Sequence, residues 1–151
     1  MALSTFGAIM GFAAETVGQT KDAYETLAGK ARNPLLRETL QAFMREEGGN
    51  YSLMERTRRE NVTEMILEPI TGLNQEDYEV NLKMTDPMGD DDILGAALIL
   101  EERGRKFFRD ASAKVPLPEV ARTLRKIAQK KDQNLTRLQG LGSDETLEQS
   151  R

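Results

Sequence analysis

The chain has 151 residues, of which 38% are hydrophobic, 30% charged and 5% aromatic, and its formal charge is −4. That length suits one domain with a real core, and the acidic balance excludes a dedicated nucleic-acid binder, which needs a basic excess to neutralise phosphates. Cysteine and histidine are both absent, which removes disulfides, thiolate catalysis, cysteine-held zinc, iron–sulfur clusters, the commonest general base and the usual imidazole ligand.

Carboxylate, lysine, tyrosine and hydroxyl groups remain for chemistry. No apolar run approaches the ~20 residues of a membrane span. The apolar opening from Phe6 to Ala14 is broken by Gly7 and Gly11 and follows no basic segment, so it does not read as a secretory leader. A cytoplasmic protein is expected.

The apolar periodicity is helical throughout. The first helix is predicted from about Ser4 to Ala31, with the stripe Phe6, Ile9, Ala13, Val17, Thr20, Tyr24, Leu27 and Ala31. Asn33-Pro34 then supplies an N-cap followed by proline at the first helical position. The second helix carries Leu36, Leu40, Phe43, Glu47, Asn50, Met54 and Thr57 on one stripe and ends near Asn61. From about 62 to 92 the pattern weakens, punctuated by Pro69, Gly72, Pro87 and Gly89, with a short helix expected between Gln75 and Met84. A connection this long fits a crossover that runs the length of a bundle.

The third helix is predicted after the acidic run Asp90-Asp91-Asp92, with Ile93, Ala97, Leu100 or Glu101, Gly104, Phe108 and Ala111 on its stripe. Pro116 and Pro118 end it and open the fourth, whose stripe is Val120, Leu124, Ile127, Lys131, Asn134, Leu138 and Leu141. The bundle is thus expected over 1–141, with a polar, disordered tail over 142–151.

Shifting the chain by 84 residues lays Ile9 on Ile93, Gly11 on Gly95, Lys30 on Lys114, Pro34 on Pro118, Tyr24 on Phe108 and Asn50 on Asn134. The fold predicted is therefore all-α: a four-helix bundle made of two pseudo-repeated α-hairpins joined by a long crossover. The same shift superposes two polar pairs that interrupt the apolar stripes, Glu47-x-x-Asn50 and Lys131-x-x-Asn134. Residues three apart share a helix face, so both pairs point towards the interior. Either Glu47 and Lys131 sit at the rim and reach water, or they form an ion pair inside the bundle flanked by the two asparagines. The mid-helix pair Gly48-Gly49 suggests a close approach or bend nearby.

These residues resemble the rubrerythrin-like branch of the ferritin-like superfamily over about Phe6 to Leu138. The resemblance rests on Ala23-Tyr24-x-x-Leu27-Ala28, on Leu35 to Asn50, on Leu98 to Phe108 and on Val120 to Asn134. It implies a ferritin-like fold and a di-iron centre held by one Glu from each of two helices and a Glu-x-x-His from each of the others, where peroxide or oxygen is reduced as ferrous iron is oxidised. Rubrerythrins also carry a cysteine-held iron domain, which a chain without cysteine lacks. Here the first Glu-x-x-His position is Glu47-x-x-Asn50, and the second is Lys131-x-x-Asn134, with an ammonium where a metal would sit. Glu101 matches an additional glutamate of the third helix. The helix-one glutamate falls on Ala14, with Glu15 one residue away.

The resemblance therefore implies a pseudo-site of Glu47, Asn50, Lys131, Asn134, Glu101 and Tyr24, with no catalytic residue and no cofactor expected. The function expected is that of a non-catalytic binding or interaction protein with an unknown protein or small-molecule partner, and with no nucleic acid or membrane involved. The alternative is an iron-dependent oxidoreductase with a carboxylate-only site of Glu15, Glu47, Glu101 and Asp132. Metal-free redox chemistry at Tyr24, Tyr51 or Tyr78 is a third, weaker reading, since bundle tyrosines usually pack. The start Leu3-x-x-Phe6-x-x-Ile9-Met10-x-Phe12 is apolar around more than one stripe, from which a homodimer is expected.

Overall fold

The structure is a computed structural model that describes residues 1–61, 69–82, 84 and 87–143. Four long helices account for most of them: α1 (Phe6–Lys30), α2 (Pro34–Glu60), α3 (Asp90–Lys114) and α4 (Pro118–Ser143). A single 3₁₀ turn, Gln75–Tyr78, lies in the connection between α2 and α3. Among the described residues the only β-type pairing is an isolated antiparallel bridge between Ala2 and Asn74. No helix among them is long and apolar enough to cross a membrane.

Local chemistry explains the helix ends. Thr5 caps α1 by accepting from the Ala8 N–H at 3.0 Å, and Asn33 caps α2 by accepting from the Leu36 N–H at 3.0 Å, each satisfying a donor that the first turn leaves free. Helix α1 packs chiefly along α2, and α3 along α4. Phe12 meets Phe107 and Thr20 meets Arg103, so α1 and α3 run antiparallel. Helices α1 and α3 start and end 84 residues apart, and so do the first residues of α2 and α4.

The described part of the connection between α2 and α3 follows the bundle from end to end. It begins beside the amino terminus, where the Ile70 N–H donates to Ser4 O at 2.9 Å and the Leu3 N–H to Leu73 O at 2.8 Å. It passes mid-bundle, where Tyr78 is buried against Phe107 with ring centroids 5.2 Å apart. It ends at the α1–α2 turn, where the Asp90 carboxylate accepts from the Arg32 and Asn33 backbone N–H groups, each at 2.9 Å. Asp90→Asn keeps one acceptor oxygen and turns an amide donor towards the second N–H. We expect a loss of about 1–3 kcal/mol of stability, measured by urea unfolding.

Several sequence expectations need correction here. The short helix predicted over 75–84 is one turn ending at Tyr78. Helix α3 does not follow the acidic run but begins with it, because Asp90 is both helical and the acceptor that fastens the turn. Helix α4 continues through Ser143, so residues 142 and 143 belong to the bundle, and the rest of the predicted tail lies outside the described residues. The excess apolar surface at the start of α1 is used within the chain. Leu3, Phe6, Ile9 and Met10 are buried in a cluster with Ile70, Leu73 and Tyr78, and Phe12 packs on Tyr78 and Phe107. The crossover thus covers part of the apolar surface at the start of α1.

Candidate functional site

The core divides into two apolar clusters. One holds Val17, Met54, Phe107 and Ala128, and the other holds Tyr24, Phe43, Leu100 and Leu138. Between these positions on all four helices lies a layer of buried polar residues: Thr20 on α1, Glu47 on α2, Glu101 and Arg103 on α3, and Lys131 and Asn134 on α4. Each sits on the inward stripe or next to it, so helical period alone delivers them to one level of the bundle.

Lys131 is the centre of the layer. Its Nζ donates to Glu47 Oε1 at 2.7 Å and to Glu101 Oε2 at 3.0 Å. All three residues are only 1% exposed, so the rim position for Glu47 and Lys131 is ruled out in favour of an internal ion pair, extended to a triad by Glu101. Asn134 Nδ2 donates to Glu101 Oε1 and to Glu46 Oε1, both at 2.7 Å, and Asn50 Nδ2 donates to Glu47 Oε1 at 3.2 Å. Both asparagines therefore serve as donors to carboxylates. The residues of Glu47 and Lys131 are 84 positions apart, the same spacing that separates the helix starts.

Electrostatics follow from burial and pairing. Desolvation disfavours the Lys131 ammonium, but the Glu101 and Glu47 carboxylates outweigh it and hold the lysine protonated above its ordinary range. Burial pushes the Glu47 carboxyl above the usual carboxylate range, opposed by Lys131 and reinforced by Glu101. Arg103 is a second internal cation: burial lowers its pKa, while Glu47, Tyr24 and Glu101 raise it. Two carboxylates and two cations thus share the layer, which is how so much charge tolerates a dry site.

Tyr24 is fully buried, with its ring 5.7 Å from Phe43, and its hydroxyl has no hydrogen-bond partner among the described residues. Burial raises its pKa well above the ordinary tyrosine value, and the Glu101 and Glu47 carboxylates add to the rise. Glu101 exerts that influence without meeting hydrogen-bond geometry. Because Tyr24 and Lys131 both have folded pKa values above their unfolded ones, the stability they contribute is present below about pH 10 and lost as pH rises further. We expect Tyr24→Phe to be neutral or stabilising by up to about 1 kcal/mol at pH 7, since an orphaned hydroxyl is removed. It should also flatten the loss of stability above about pH 10, followed by circular dichroism.

Gly104 explains how a lysine stem fits in this layer. A Cβ at Gly104 would lie 2.7 Å from both Cδ and Cε of Lys131. The ammonium is fixed at both carboxylates, so the stem cannot swing away. Gly104→Ala is expected to cost about 1–2 kcal/mol, overpacking outweighing the gain in helix propensity, as measured by thermal unfolding and a double-mutant cycle with Lys131→Ala. The Gly48-Gly49 pair, by contrast, marks no tight approach: a Cβ at Gly48 would make only ordinary contact with Lys21, and one at Gly49 would meet nothing within 4 Å.

Two proposed carboxylate ligands are elsewhere. Glu15 is exposed, hydrogen-bonded weakly by Gln19, because Ala13, Ala14, Thr16 and Val17 take the inward positions around it. Asp132 has a side chain that is 58% exposed and faces Arg105 on the surface. Tyr51 is exposed, and Tyr78 donates to Asp110 at 2.8 Å outside the layer. Glu46, Arg103 with its bond to Thr20, and the spacing role of Gly104 were not anticipated from the sequence.

These donors do not fit a di-iron centre. The two internal carboxylates are bridged by an ammonium, no imidazole is present, and the asparagines present amide N–H groups to the carboxylates. Among the described residues no group of three or more acidic, cysteine or histidine side chains is arranged to hold a metal ion. No protein-family model, curated protein or solved structure matches the chain.

Proposed function

We propose that the chain is a rubrerythrin-like member of the ferritin-like proteins, grown from a duplicated α-hairpin, in which a buried lysine stands where a di-iron centre would be. It acts by binding a partner or ligand rather than by redox catalysis. One observation carries this reading: Lys131 Nζ, buried at mid-bundle, lies 2.7 Å from Glu47 and 3.0 Å from Glu101. Those are the carboxylates that such a bundle would otherwise turn on iron. A further cation ~4 Å from an ammonium is opposed by about 4 kcal/mol per unit charge at an effective dielectric of ~20. The common 84-residue offset of the helix starts supports the duplication.

The alternative, an iron-dependent peroxide reductase or ferrous oxidase, has lost two of its four carboxylates to the surface at Glu15 and Asp132. Anaerobic loading with ferrous iron, desalting and metal analysis separate the two. We expect no iron retained in stoichiometric amount and no oxo-bridged ferric absorbance on admitting oxygen. Two tightly bound irons per chain, with a band abolished by Glu47→Ala, would overturn the reading in favour of the alternative.

A further inference from the structure

A cleft of about 810 Å³ opens between α1, the crossover and α3. It borders the Lys131 layer at Arg103, a member of that layer that also lines the cleft. Arg103 is only 9% exposed. Its guanidinium donates to Thr20 Oγ1 at 2.9 Å and to Tyr78 O at 3.3 Å, and its Nε has no partner among the described residues. A guanidinium offers five N–H donors in a fixed fork, so a buried one with donors to spare calls for an acceptor.

The rest of the cleft has the opposite polarity. Glu15 on α1 and Glu79 on the crossover are exposed carboxylates lining it from two sides, while Glu76 is paired with the chain's own amino terminus. Phe12, Val80 and Leu82 supply apolar wall. A simple anion would be repelled by the rim carboxylates, and a simple cation would leave Arg103 Nε without an acceptor. A molecule carrying both signs and an apolar body satisfies every group at once.

We infer that this cleft binds a small zwitterion with an apolar side chain, its carboxylate towards Arg103 and its ammonium towards Glu15 and Glu79. Both a free hydrophobic amino acid and a short apolar peptide have this chemistry. The inference rests on the reading of the chain as a binding protein, and it makes no demand on the metal state of the Lys131 layer.

Amide NMR titration of the intact chain tests it, using L-leucine, the dipeptide Leu-Leu, leucinamide and 4-methylpentanoate as probes. The expected result is saturable shifts at Glu15, Gln19 and residues 79–82 with leucine or the dipeptide, the tighter of the two naming the source. Leucinamide, without the carboxylate, and 4-methylpentanoate, without the ammonium, should each bind about tenfold more weakly or worse, since each leaves a charged group unpaired. Glu79→Gln, at an exposed position, should weaken leucine and, by relieving like-charge repulsion, bind 4-methylpentanoate more tightly. Arg103→Lys keeps the charge and should weaken leucine while leaving leucinamide unchanged. Should Arg103→Lys fail to fold, Glu79→Gln and the truncated probes carry the test alone. Equal binding of leucinamide and leucine would overturn the assignment, as would shifts confined to other surfaces or no shifts at all. Failure in a sample that retains no iron after ferrous loading overturns the cleft alone and leaves the reading of the Lys131 layer standing. Stoichiometric iron in a sample that still binds leucine overturns only the latter.

Discussion

Replacing Lys131 by methionine is expected to lower the unfolding free energy by about 3–5 kcal/mol at pH 7, the penalty for removing one partner from a buried ion pair. Methionine fills much of the lysine stem's volume, so the loss reports charge rather than a cavity. What remains is Glu47 and Glu101 facing each other in a layer where both are 1% exposed. Two carboxyls in one dry site cannot both stay ionised cheaply, so the folded state of the variant binds protons more readily than the unfolded state. A carboxyl whose folded pKa is raised contributes stability at low pH that is lost as pH rises through that pKa. The cost of Lys131→Met should therefore shrink as pH falls from 7 towards 5. Adding Glu47→Gln and Glu101→Gln removes the charges and keeps acceptors for Asn50 and Asn134, and should restore most of the lost stability. Urea unfolding across pH measures both variants. A penalty under about 1 kcal/mol that is flat with pH would mean that the ammonium is not desolvated.

The second large effect is expected at Phe107. It is fully buried, with ring centroids 5.2 Å from Phe12, 5.2 Å from Tyr78 and 5.1 Å from Phe108. Phe107→Ala should cost about 3–5 kcal/mol. Because Tyr78 belongs to the crossover, the loss should also free that segment. Hydrogen exchange should quicken at residues 70–80, where Leu73 O and Ser4 O hold the backbone, more than in the α2 core around Leu40. Uniform quickening throughout the bundle would mean that the crossover is docked by other contacts.

What was legible in the sequence follows physical lines. Stripe spacing located all four helices, and the Asn33-Pro34 signal marked a cap that does accept from Leu36. Glu47 and Lys131 were readable because polar residues on an apolar stripe violate the pattern, and their partnership was readable because both hold the same place in their hairpins. The facing of Glu15, which only the alternative site used, was left open by the spacing because adjacent helix positions differ by about 100°. Placing Ala13, Ala14, Thr16 and Val17 inward leaves Glu15 no inward direction.

Arg103 was hidden for a different reason. It lies off the predicted stripe, and its burial depends on Tyr78 O and Thr20 Oγ1 arriving from the crossover and α1. The register of that crossover is a tertiary fact with no periodic signature. Gly104 was on the stripe, but a glycine there reads as a small core residue. Its role emerges only when the α4 register brings the Lys131 stem to 2.7 Å from the Cβ it lacks. Glu46 is half-buried and reached by Asn134 from α4, another inter-helix register that spacing along one helix does not encode.

We propose that an ammonium occupies the level where a ferritin-like bundle would carry iron. Diffraction at the iron edge, from crystals grown anaerobically with excess ferrous iron, tests it most directly. We expect no anomalous peak between Glu47 and Glu101 and continuous density for Lys131 reaching both carboxylates. One or two iron peaks there, with the lysine side chain turned away, would contradict it.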